Sequence, residues 1–302
     1  MFSIGFFTVG FDCIVIGGGP AGLTAAIYLG RFRRKVMVID AGDSRALKIP
    51  TSHNYPGFAD GIAGRDLLRV LTAQAEQYGA EIKRGTASGL TRDGDGFRIA
   101  LDGSEVAAAR VLLATGLKDK SPDMPGLREA VAQATVRYCP VCDGYEATDQ
   151  AIAVYGPLKD AEAKALFLRT YSKSVTVLPT EAGAGSDAEL KDAGIALAPS
   201  PPLSFELRDD GIEAVLHDRQ RLRFDVLYPV LGCEVRSDLA AALGARCNEV
   251  GCLEVDAHQQ TTVPGLYAAG DVVSDLHQLA VGAGHAGIAA TAIHNSLPRN
   301  FR

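Results

Sequence analysis

Unbroken apolar runs alternate along this chain with stretches of helical spacing. Phe11-Asp12-Cys13-Ile14-Val15-Ile16 reads as a strand buried on both faces, Gly17 to Gly22 as a turn, and Leu23 to Phe32, rich in Ala and Leu, as a helix. Val36 to Ile39 is the next strand and ends at Asp40. Together they make a βαβ unit of about 30 residues. Leu67 to Tyr78 has the pattern of an amphipathic helix, and short strands follow near Glu81-Ile82, at Phe97 to Leu101, near Val106 and at Arg110 to Ala114. From Leu117 to Gly126 the chain turns polar and Pro-containing, which predicts a crossing between domains. A second βαβ unit then reads as a strand at Ala151 to Tyr155, a turn at Gly156, a helix at Asp160 to Tyr171 and a strand at Ser174 to Leu178. A return crossing is expected near Leu231 to Ser237, and Val263 to Leu297 brings back strand, Gly-Asp turn and helix. The pattern predicts an α/β chain with two Rossmann-like, three-layer dinucleotide-type domains. The first, residues 1–117 and 236–302, is interrupted by the second, residues 118–235.

Composition narrows the partners. A chain of 302 residues can bury two cores. A net charge of −6 argues against a nucleic-acid partner, which needs a basic face. No apolar run is long enough to span a bilayer. Six cysteines are too few for a disulfide-stapled secreted scaffold. Met1 to Gly10 is apolar but has no basic start, so a signal peptide is not expected and a cytoplasmic location is.

Gly17-x-Gly19-x-x-Gly22 follows a strand and opens a helix. The first glycine permits the tight turn, the second lets a pyrophosphate approach the backbone, and the third lets helix and strand pack closely. The phosphates would then sit at the positive end of the helix. Asp40 stands 23 residues after Gly17, where a carboxylate can hold a ribose hydroxyl. The dinucleotide reads as FAD rather than NAD because Val263 to Asp271 supplies a second half. There, Gly270-Asp271 after a strand can bind a ribityl chain, and the helix from Val281 can aim its N-terminus at the electron-rich edge of the flavin.

Cys139-Pro140-Val141-Cys142-Asp143-Gly144 carries the chemistry. Two cysteines at this spacing can close and reopen a small disulfide ring, and the acid beside them can manage the proton that thiol chemistry releases. A Cys-x-x-Cys zinc site would need a second ligand pair, and Cys13, Cys233, Cys247 and Cys252 do not form one. The pair therefore reads as a redox dithiol, and no metal is expected.

With these residues the chain resembles the low-molecular-weight thioredoxin reductase family over nearly its whole length. The anchors are Gly17 to Gly22, Asn54-Tyr55-Pro56-Gly57, Ala114-Thr115-Gly116, Cys139 to Gly144, Gly270-Asp271 and Gln278 before the last helix. The resemblance implies FAD lying across Gly17, Gly19, Gly22, Asp40, Asn54, Asp271 and Gln278, with Pro20, Ala21, Thr115, Gly116, Gly270, His277 and Leu279 in the same segments. It implies that Cys142 faces the flavin, that Cys139 exchanges with an external disulfide, that Asp143 is the acid/base, and that the protein is a homodimer.

The chain departs from the family where NADPH should bind. The second turn reads Gly156-Pro157-Leu158-Lys159-Asp160-Ala161, with Leu158 in place of the glycine that admits a pyrophosphate. The His-Arg-Arg cluster expected for a 2′-phosphate is replaced by Pro179-Thr180-Glu181. The family's Arg before Gln278 is His277, and His53, His277 and His285 are candidates to lie near the flavin as proton carriers. The leading expectation is a FAD-dependent dithiol–disulfide oxidoreductase that does not use NADPH. Its partner would be a thioredoxin-like protein or a small dithiol or disulfide, with electrons from ferredoxin, another flavoprotein or free reduced flavin. The alternatives are a dithiol oxidase with oxygen as acceptor and a non-catalytic flavin-binding sensor or interaction module; the intact Cys139, Cys142 and Asp143 speak against the last.

Overall fold

A computed structural model describes residues 10–183, 188–273 and 276–301. The chain divides into two compact units, Met1–Leu47 with Gly64–Lys118 and Glu234–Arg302, and Lys48–Ala63 with Asp119–Cys233.

In the first unit the described residues form a seven-stranded sheet. Phe11–Ile16 pairs in parallel with Val36–Asp40 on one side and Ser104–Leu113 on the other. Glu81–Arg84 extends the sheet beyond Val36–Asp40, and Leu266–Ala268 joins Ser104–Leu113 in parallel. Gly96–Leu101 and Ala87–Asp93 complete it as antiparallel strands. The central strands carry unbroken apolar runs because they are buried on both faces. Ile14, Ile16, Ile39, Ile99, Val111, Leu113 and Leu266 make one core. The helix Pro20–Arg31 starts three residues before the apolar pattern suggests. Pro20 takes its first position, where a missing N–H costs nothing and φ is already set. The last helix is Leu279–Ser296. Buried Arg34 ties its end to the first βαβ unit, donating to His294 Nδ1 (3.0 Å), the His294 carbonyl (3.0 Å) and the Pro298 carbonyl (2.9 Å).

In the second unit Ala196–Leu197, Val175–Pro179, Ile152–Gly156 and Val226–Pro229 lie side by side in that order, all parallel. The helix Leu158–Leu168 follows the strand Ile152–Gly156. A three-stranded antiparallel meander, Pro202–Arg208, Gly211–Leu216 and Arg221–Phe224, has no counterpart in the sequence reading. It places a buried carboxylate, Glu213, among Arg208, Arg221 and Arg223. These guanidiniums, Arg208 foremost, hold its carboxyl down at about 2.

One expected boundary needs correction. Lys48–Ala63, counted within residues 1–117 of the first unit in the sequence reading, groups with the second unit. Polar and charged side chains hold it there. Lys48 Nζ is 3.4 Å from Asp119 Oδ2, and Asn54 Nδ2 donates to the Val141 carbonyl at 3.3 Å. The segment has little apolar periodicity, so hydrophobic pattern could not say which core it leans on. Among the described residues, no helix is long and apolar enough to cross a membrane, and no His/Cys/Asp/Glu group is placed to hold a metal ion.

Candidate active site

The turn between Phe11–Ile16 and Pro20–Arg31 is shaped for a ligand at one point and for packing at two. A Cβ on Gly17, whose φ is +119°, would lie 2.2 Å from the Ala114 carbonyl oxygen. A Cβ on Gly22 would lie 2.0 Å from the Gly17 carbonyl oxygen. Gly19 differs: its Cβ would meet only Ser44 Oγ, at 3.4 Å. The space before Gly19 is thus left open by the protein, at the N-cap of a helix with no acid in its first turn. Pro20, Ala21 and Gly22 follow, and the N–H groups of Ala21 and Gly22 lie in the first turn, where no helical carbonyl precedes them to accept. The pyrophosphate of a dinucleotide fits this cradle. Gly17→Ala and Gly19→Ala should separate the two roles. The first is expected to destabilise the unit by about 3 kcal/mol or more through φ strain and overpacking. The second should leave apoprotein stability within about 0.5 kcal/mol while dinucleotide content falls. Thermal melts with flavin release on denaturation read both; equal stability losses would contradict the distinction.

The other residues expected at the dinucleotide are arranged as follows. Asp40 ends its strand, accepts from the Gly42 N–H at 2.9 Å and pairs with Arg84 at 2.6 Å. Each of its oxygens keeps capacity for a ribose hydroxyl. Thr115 Oγ1 donates to the Arg236 carbonyl at 2.6 Å, and the carbonyl of Gly116 accepts from the Arg236 N–H at 3.0 Å. Gly270 has φ +80°, and Asp271 lies 3.4 Å from Arg45 Nη1. Gln278 caps the last helix, whose first residue is Leu279, and half-buried His277 precedes it. His285 lies on that helix, with Nδ1 buried and no hydrogen-bond partner among the described residues. Burial pushes its pKa down while Asp271 pulls it up. Asn54 and His53 belong to the second unit, where Asn54 Nδ2 donates to the Val141 carbonyl of the dithiol segment at 3.3 Å. There His53 Nδ1 pairs with Glu146 Oε1 at 3.1 Å.

Cys139 and Cys142 are joined as a disulfide, with Cα atoms 5.2 Å apart. Cys139 caps a single helical turn, Pro140–Asp143, and both cysteines are half-buried. Val141 between them is 49% exposed and Tyr145 just after is 77% exposed, so an apolar rim faces solvent beside the pair. Asp143 closes the turn. Burial raises its carboxyl to about 6, helped by the nearby charge of Glu146 and opposed by the downward pull of Arg137 and Tyr228. A carboxyl poised there can both take and return a proton near neutral pH. Tyr228 donates to Asp143 Oδ1 at 2.9 Å, and Arg137 Nη1 donates to the Asp143 carbonyl at 2.9 Å. Neither residue is signalled by any motif, because both arrive from distant segments of the chain.

A glycine-rich cradle, a carboxylate at the end of the second strand and a redox dithiol in one chain have counterparts in known proteins. Residues 11–287 match the family described as pyridine nucleotide-disulphide oxidoreductase. The chain is 30% identical over 299 residues to the thioredoxin reductase of Streptomyces clavuligerus, covering 92% of this chain and 91% of that protein. This chain belongs to the pyridine nucleotide-disulphide oxidoreductase family. Within it the chain is thioredoxin-reductase-like, of low molecular weight, and an FAD-dependent disulfide oxidoreductase. Among solved structures, the crystal structure of HlmI has a TM-score of 0.89 at 31% identity, covering 96% of this chain and 94% of that one. The thioredoxin reductase of Streptococcus pyogenes MGAS5005 has a TM-score of 0.86 at 26% identity, covering 94% and 97%.

The second βαβ turn of this oxidoreductase is built differently from the first. Gly156 is required by packing alone, since a Cβ there would lie 2.3 Å from the Val230 carbonyl oxygen. Pro157 caps the helix and Leu158 is its first residue. Leu158 occupies the position where a nucleotide-binding turn would carry glycine. It is buried in the core with Ile152, Val154 and Val175. Asp160 places an exposed carboxylate in the first turn, where an anion would bind. The strand Val175–Pro179 leads into Thr180 and Glu181, neither of them a cation.

Proposed function

We propose that this oxidoreductase moves electron pairs between its FAD and a partner dithiol or disulfide through Cys139 and Cys142, without a nicotinamide nucleotide. The observation that carries the second half is the start of the helix Leu158–Leu168. There a core leucine and an acidic first turn stand where a nucleotide pyrophosphate would need glycine and free positive dipole.

FAD, when bound, supplies the two-electron acceptor or donor that one disulfide requires. The residues do the rest. A partner thiolate attacks the Cys139 sulfur; the Cys139–Cys142 bond breaks, and Cys142 leaves as a thiolate. The partner's second thiol, its proton taken by Asp143, attacks the mixed disulfide and releases the oxidised partner and the Cys139 thiolate. Two electrons and two protons have then left the partner. Cys142 is the sulfur assigned to the flavin side and Cys139 to the partner. The exposed Val141 and Tyr145 give that partner an apolar surface to rest on.

Loss of nicotinamide entry favours the oxidising direction. A small dithiol would be the reductant and oxygen the final acceptor, leaving as hydrogen peroxide with the two electrons and two protons. The opposite direction, with a thioredoxin-like protein reduced at the expense of ferredoxin or another flavoprotein, uses the same residues and needs one more protein. Anaerobic mixing of the holoenzyme with NADPH, NADH or a small dithiol decides the first point. Dithiol is expected to bleach the flavin while both nucleotides leave it oxidised. Fast bleaching that saturates with micromolar NADPH overturns the proposal. Peroxide released mole for mole with dithiol, in air, would set the direction.

A further inference from the structure

Among the described residues Tyr228 is the largest fully buried side chain, and its hydroxyl meets the redox turn's acid. It stands in the strand Val226–Pro229, 1% exposed, with its ring in the core formed by Ile152, Val154, Leu158 and Val175. A buried tyrosine needs a partner for its hydroxyl. This one lies 2.9 Å from Asp143 Oδ1 and 3.1 Å from the Asp143 carbonyl oxygen. A phenol has one hydrogen to give. The carbonyl already accepts from Arg137 Nη1 at 2.9 Å, so the tyrosine hydrogen is available to the carboxylate.

Among the described residues, Arg137 and Glu146 are the other charged groups that act on the carboxyl. Arg137 comes from the segment before the redox turn, Glu146 from the turn after it, and Cys139 and Cys142 from the turn itself. His53 is linked to the group through its pair with Glu146. Burial, and after it the charge of Asp143, push the phenol far above its usual range, so Tyr228 remains a donor throughout the working pH range.

We infer that Tyr228 is a positioning residue for thiol–disulfide exchange: its hydroxyl holds Oδ1 of Asp143 and leaves Oδ2 to take the proton of the attacking thiol. In that step an S–H bond breaks and an O–H bond forms; the departing cysteine thiolate later receives the proton. The inference rests on Asp143 being the acid/base, as proposed above.

The sign of the effect follows from the donor. An O–H directed at a carboxylate favours its ionised form. Removing it raises the pH at which the base form appears. The experiment is stopped-flow reduction of the holoenzyme by a small dithiol, followed by flavin absorbance from about pH 5 to about pH 9. The native protein is expected to show an acid limb near about 6. Tyr228→Phe, close to isosteric, should move the limb up by about one pH unit. The rate near the native limb would fall several-fold and that at alkaline pH would stay unchanged. Site-specific 3-fluorotyrosine at position 228, a stronger donor, should move the limb down, and decides the matter if the phenylalanine variant does not hold its flavin. A limb abolished by Asp143→Asn yet unmoved by both Tyr228 variants overturns this inference alone. A limb that survives Asp143→Asn overturns the acid–base reading, and this inference with it.

Discussion

Replacing Cys139 with serine is expected to leave Cys142 as a lone thiolate and to give the oxidised protein a broad long-wavelength absorption band. Dithiol turnover should fall by on the order of 10³-fold or more, because no second sulfur remains to accept the partner. Cys142→Ser should lose turnover equally and show no band. The asymmetry is the informative part. Both cysteines are half-buried and both belong to one short turn, Cys139 as its cap and Cys142 within it, so they do not differ in exposure class. Under the proposed function they differ in what each meets, Cys142 the flavin and Cys139 the partner. A band in Cys142→Ser and none in Cys139→Ser would exchange the two roles. The measurement is a visible spectrum of each purified variant, before and after an alkylating reagent that removes the thiolate.

Leu158→Gly should cost about 3 kcal/mol or more and still confer no use of NADPH. The mutation restores the glycine that a nucleotide-binding turn would carry. But Leu158 is 8% exposed and packed with Ile152, Val154 and Val175, so its removal leaves a core cavity. Asp160 and Glu181 keep their charges, and no cation takes the place of Thr180. Urea unfolding gives the stability loss, and anaerobic titration with NADPH gives the second result. A variant of native stability that saturates with micromolar NADPH would mean the leucine had been only a plug. The expected outcome would mean that the site was rebuilt as core, and that returning it to nucleotide binding requires repacking as well as charge reversal.

Much of the fold was legible in the pattern of apolar positions. Phe11–Ile16, Val36–Asp40, Ile152–Gly156 and Val175–Pro179 are parallel strands covered on both faces, so their apolar runs are unbroken and conspicuous. The Gly17-x-Gly19-x-x-Gly22 turn was legible because close approach leaves glycine little alternative there. Helix starts were less so. Pro20 and Leu158 lie inside helices whose apolar spacing begins later, since proline and a single core contact carry no period. The meander of residues 202–224 escaped notice because its buried Glu213, held by three arginines, breaks the alternation that marks a half-buried strand.

The sequence by itself determined the two dinucleotide-type folds, the redox pair Cys139–Cys142 with its acid, and the loss of the glycine and cations a second nucleotide would need. Each is a local property: an apolar run, a spacing, or a residue type without which a turn or a charge contact cannot form. Only the tertiary structure decided that Leu158 serves the core, that His53 and Asn54 sit with the dithiol segment, and that Tyr228 and Arg137 frame Asp143. Tyr228 and Asp143 are 85 positions apart in the chain. No period or motif links them; the hydrogen bond exists only because the strand Val226–Pro229 pairs beside Ile152–Gly156 and carries the hydroxyl to the carboxylate.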